Sequence, residues 1–103
     1  MTAPDRSLAD LLARRLQLVM QLSQASSVMQ RLQQRRAGAE MDAMRCELGL
    51  GGGPAEEVAQ ELLEARRRIA DADRGMEQCE AEIADAELSL AETDREIEAS
   101  AGR

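Results

Sequence analysis

The sequence predicts an all-α protein, a two-helix antiparallel coiled-coil hairpin that dimerises into a four-helix bundle. Three observations point there. A seven-residue apolar repeat runs through the second half without a miss, the mark of a coiled-coil seam. The stretch Gly49-Leu50-Gly51-Gly52-Gly53-Pro54 interrupts the chain near its middle. The 103 residues include no Phe, Tyr, Trp, His, Lys or Asn, and are rich instead in Ala, Leu, Glu, Arg and Gln, the vocabulary of long helices. Acidic chains without aromatics are also commonly unfolded, and it is the periodicity that argues against disorder here.

The elements follow in order within a single domain, residues 1–103. The first helix is expected over 7–48. Ser7, with Asp10 three residues on, resembles a capping box in which Asp replaces the usual Glu or Gln. Leu11, Leu18, Ala25, Leu32, Ala39 and Cys46 form one row at heptad spacing. Its companion row, Arg15, Leu22, Met29, Arg36, Ala43 and Leu50, is broken by two arginines. Beside these rows lie Leu8, Leu12, Leu16 and Val19, so residues 8–22 are apolar over an arc wider than one partner helix covers.

The turn is expected over 49–53. Gly49 stands where a helix C′ residue adopts the left-handed conformation, and Pro54 opens the next helix at its first turn, where a missing N–H costs nothing. Glu56 and Glu57 then oppose the positive end of the helix dipole.

The second helix, 54–100, carries the seam. Leu62, Ile69, Met76, Ile83, Leu90 and Ile97 form a large row, and Val58, Ala65, Ala72, Cys79, Ala86 and Thr93 a small one. Small layers let a partner helix approach toward the low end of the usual separation of about 8–10 Å. Folding at the turn sets level the residues whose numbers add to about 103, so that Ala65 faces Gly38 and Ala39. Cys46 and Cys79 then lie roughly 30 Å apart along the axis, too far for a disulfide. Both are expected as reduced, small core residues.

Composition closes many functional classes. Without His there is no imidazole base or His-ligated metal, and without Lys no Schiff base or P-loop lysine. No catalytic residue, cofactor or metal is expected. No Glu-x-x-His or EF-hand pattern occurs, so the acidic residues read as a solvated helix face. The glycine loop, with no Gly-Lys-Ser/Thr after it, is not a phosphate cradle. Leu16 to Leu22 is interrupted by Gln17 and Gln21 and is too short to span a bilayer. A cytoplasmic location and no membrane partner are expected. All 13 basic residues are Arg, which reads as the codon bias of a GC-rich bacterial genome.

The formal net charge of −7 is unevenly placed. Residues 1–50 hold seven Arg and five acids, a net of +2, whereas residues 51–103 hold six Arg and fifteen acids, a net of −9. Arg31, Arg35, Arg36, Arg66, Arg67 and Arg68 fall at similar heights in the hairpin, and acids crowd from Glu77 to Glu98. Two hairpins overlapping head to tail would set arginines against acids, so an antiparallel homodimer is the expected pairing. One seam buries little apolar surface for two helices' worth of ordered chain, which also favours association through Leu8, Leu12, Leu16 and Val19.

The predicted function is that of a non-enzymatic coiled-coil interaction protein, an adaptor, assembly factor or small chaperone that binds itself and another protein through helical faces. The alternative of a small RNA-binding bundle would use the arginine cluster as its anion contact, and the size and architecture resemble Rop-type hairpin dimers. Nucleic acid is disfavoured because the chain is acidic and offers no aromatic for base stacking. A secreted hairpin or a secretion-machine component is the other alternative. Length, acidity and central turn resemble the Trp-X-Gly secreted family, although Leu48-Gly49 and Leu50-Gly51 stand where Trp-x-Gly would, and the Tyr-containing export motif has no counterpart. The coiled-coil chaperones and stalk proteins of flagellar and type III secretion machines are similar in being acidic or amphipathic helical hairpins.

Overall fold

A computed structural model describes residues 7–102, which form two long helices, α1 (Leu8–Glu47) and α2 (Ala55–Ala101), packed against each other as a helical hairpin. Local chemistry sets each helix end. The Ser7 carbonyl accepts the first helical bond of α1 from Leu11 N–H at 3.0 Å, and its Oγ accepts from Asp10 N–H at 3.1 Å, as an N-cap serine does. At the other end Gly49 has φ +67°, a left-handed conformation that strains any residue with a Cβ. Its N–H bonds to Cys46 O at 3.2 Å and that of Leu50 to Arg45 O at 3.0 Å, the paired bonds of a Schellman motif.

Pro54 sits one position earlier than its sequence suggests. Its carbonyl accepts from Val58 N–H at 3.1 Å, so Pro54 is the half-in residue ahead of α2, and Ala55 is the first full helical residue. The ring loses nothing there, since that position has no intrahelical N–H bond to give up. Glu56 and Glu57 lie in the first turn as the dipole favours. The last turn of α2 has no basic residue, and Glu96 and Glu98 stand close to the negative end of the dipole, an unfavourable placement.

The hairpin comprises two compact units, each built from a stretch of both helices. In the unit Ser27–Cys79, which includes the turn, the buried side chains are Ala39, Ala43, Ala65, Ala72 and Cys79. Val58, Leu62, Ile69 and Met76 are half-buried at the edges of this small-residue seam. The other unit joins the described residues up to Ser26 with those from Glu80 onward. There Leu11, Leu18 and Ala25 of α1 are buried, as are Ala86 and Thr93 of α2, with Ile83, Leu90 and Ile97 half-buried beside them. The Thr93 hydroxyl is satisfied by donating to Ser89 O at 2.8 Å, the usual bond of a threonine to the preceding helical turn.

In α2 the small row is thus the buried one, and the large row flanks it. Two helices that meet over Ala or Cys come close enough for Leu and Ile to close the sides of the contact instead of filling its centre.

Gly75 marks a close contact between the helices. A Cβ there would lie 2.9 Å from Leu32 Cδ1 and 3.3 Å from Cδ2, so the Leu32 side chain packs onto glycine backbone. Gly38 is also helical but exposed, and a Cβ there would meet nothing within 4 Å. The two glycines should respond differently to the same methyl group. Gly38→Ala is expected to stabilise the fold by about 1 kcal/mol through helix propensity alone. Gly75→Ala gains less because Leu32 must give way. Urea midpoints of the two variants check this, and equal gains would show that the Leu32 contact does not depend on the glycine.

Candidate interaction surfaces

Cross-helix ion pairs explain the two arginines that interrupt the α1 seam. Arg15 Nε lies 2.8 Å from Asp94 Oδ1, and Arg36 Nε lies 2.6 Å from Asp73 Oδ1. The same three-heptad interval separates the two arginines and the two aspartates, so one motif occurs once in each unit. Asp73 and Asp94 directly follow Ala72 and Thr93 of the small row, at the edge of the seam. Side chains lean toward the N terminus of their own helix, so antiparallel partners meet at positions C-terminal to the contact on both chains. All four side chains are more than a third exposed, which limits each pair to a few tenths of a kcal/mol, about 0.2–1. Their main consequence is register, because a slipped helix loses both pairs together.

The sequence-predicted arginine cluster is largely occupied. Arg36 also pairs with Glu40; Arg66 reaches Glu47 at 3.2 Å, Arg67 reaches Glu64 at 3.7 Å and Arg68 reaches Asp42 at 3.0 Å. Arg31 and Arg35 have no carboxylate partner among the described residues, nor has Arg45. The six arginines therefore do not gather into one open anion site. Four of them are already neutralised by carboxylates.

The apolar arc of α1 remains uncovered. Leu8, Leu12, Leu16 and Val19 are all exposed, and Met20 adjoins them. Nearer the turn, Met41, Met44 and Leu48 form a second exposed stripe along one face of α1. On α2, Leu63 and Leu88 are isolated exposed leucines.

Within the unit Ser27–Cys79 an open groove of about 680 Å³ runs beside the seam. Leu32, Met41 and Ala72 give it apolar walls; Gly38, with no side chain, leaves it wide, and Arg35 and Arg45 stand among its lining residues. Sequence reasoning missed this groove. Its one signal was Gly38, a helix-weakening residue that no turn requires.

The thiols offer little reactivity. Cys46 and Cys79 are both free, and Cys79 is buried. The Cys46 thiol points to Glu61 Oε2 at 3.8 Å, and desolvation followed by the Glu61 carboxylate pushes its pKa above the ordinary value, so it stays a protonated, weakly nucleophilic group. Among the described residues no group of three or more Cys, Asp or Glu is arranged to hold a metal ion, and no helix is long and apolar enough to cross a membrane.

The fold and these surfaces define a helical hairpin with uncovered apolar faces and a polarised charge distribution. No protein-family model, curated protein or solved structure matches the chain.

Proposed function

We propose that this protein is a non-enzymatic interaction hairpin that associates with itself and presents helical faces to protein partners. The observation that carries the reading is the exposure of Leu8, Leu12, Leu16 and Val19 along one face of α1. Contiguous exposed apolar side chains on a small chain mark an association surface. The seam occupies a different face, so the stripe is not needed to hold α1 against α2. Charge supports the same reading, since a head-to-tail pairing of copies would set the arginine-rich stretches 31–36 and 66–68 of one against the acids from Glu77 to Glu98 of the other. The RNA-binding alternative has less behind it, because four of its six arginines already hold carboxylates.

Replacing Leu12 and Val19 together by Ser tests the reading. Light scattering should show the variant shifted toward the single-chain mass while circular dichroism keeps the helical signal. Unchanged mass would remove this stripe as the association surface.

A further inference from the structure

We propose that the groove beside Gly38 is the seat of a second copy's acidic ridge, centred on Leu88. This rests on the self-association reading and gives it a specific contact. On the groove side, Leu32, Met41 and Ala72 supply apolar walls, and the missing side chain at Gly38 leaves room for an inserted residue. Asp42 and Asp71 line the groove too, but Asp42 is paired with Arg68 and Asp71 with Arg74, which leaves Arg35 and Arg45 as the guanidinium groups there that no carboxylate of the described residues pairs with. A volume of about 680 Å³ open to solvent suits the face of a helix better than a single enclosed small molecule.

The chain itself carries the complementary shape. Leu88 is 66% exposed, and among the described residues from Glu77 to Glu98 it is the one large apolar side chain that is exposed rather than half-buried. Ala84 and Ala91 are also exposed on its face, one turn to either side, so Leu88 projects from a narrow ridge. Asp85 and Glu92 flank it at i−3 and i+4, and neither has an ion-pair partner among the described residues. A leucine entering the groove would bring these two carboxylates toward Arg35 and Arg45. Each side thus presents uncompensated charge of opposite sign around an apolar contact that needs covering.

Charge reversal in two separate variants tests the contact. One carries Arg35→Glu with Arg45→Glu, the other Asp85→Arg with Glu92→Arg, and sedimentation equilibrium at low salt reads the association of each alone and of an equimolar mixture. Each variant alone should associate at least tenfold more weakly than the unmodified chain, since every such contact then sets like charges together. The mixture should regain the affinity, because each reversed surface finds its complement. Leu88→Ser, an exposed substitution that leaves the seam untouched, should weaken association by a similar factor and serves if a charge variant loses helicity. Double variants that associate as tightly as the unmodified chain, or a mixture that regains nothing, would overturn the proposal while leaving self-association standing. An unmodified chain that stays single at every concentration would overturn both.

Discussion

Leu18→Asp is expected to abolish the folded hairpin at room temperature. Leu18 is 1% exposed and, with Leu11, is one of the two largest side chains that the fold buries completely. Removing it forfeits about 2–5 kcal/mol of burial and cavity energy even as an alanine. An aspartate adds a carboxylate with no cation inside the seam to meet it, a further several kcal/mol that a small domain cannot absorb. Loss of most of the helical circular dichroism at neutral pH is the expected readout. Leu63→Asp is the control, because Leu63 is 61% exposed on α2 and outside every seam row. It should leave the spectrum essentially unchanged. Equal damage from both would mean that the burial pattern does not control stability.

Ala65→Leu should be the most damaging enlargement. Ala65 and Ala39 are both 0% exposed, in the unit whose buried seam contains only Ala and Cys. A leucine there has no space to occupy until the helices separate, and separation loosens the contacts of Ala72 and Ala43 as well. Overpacking of this kind costs about 1–3 kcal/mol, and a seam with no large side chain to reorient belongs at the upper end. Ala70→Leu, five residues further on at an exposed position, should be neutral or slightly stabilising. Urea denaturation of the two variants compares them directly. A seam that accepted leucine at 65 without loss would not be held by close approach.

Much of this architecture was readable because it depends on repeats along one helix. The rows of α2 recur every seven residues, and a periodic pattern states its own face. Gly49 was readable as a helix stop because only one residue type takes its backbone conformation freely. Features that need both helices in register were not readable. Arg15 and Arg36 looked like breaks in a seam row, and only the pairing with Asp94 and Asp73 shows them as edge residues that lean across it. The division of labour between the α2 rows, small at the centre and large at the flanks, follows from helix separation, which no single-helix pattern contains. The groove beside Gly38 and the Leu32 contact on Gly75 arise from absent side chains, and absence leaves no periodic mark. The ion pairs of the arginine cluster were not readable for a related reason. Sequence placed six guanidinium groups at one height but could not assign the carboxylates that occupy four of them.

The hairpin thus leaves exposed the apolar stripe of α1 and Leu88 of α2, and among the described residues Arg35, Arg45, Asp85 and Glu92 have no ion-pair partner. The proposed self-association would cover these features by setting them against each other in two copies. The most direct test is the mass of the unmodified chain by light scattering, from micromolar to near-millimolar concentration at low salt. The expected result is a species of twice the 11.3 kDa chain mass that gives way to the single chain as salt is raised or the protein diluted. A mass of 11.3 kDa throughout, with full helicity, would contradict it.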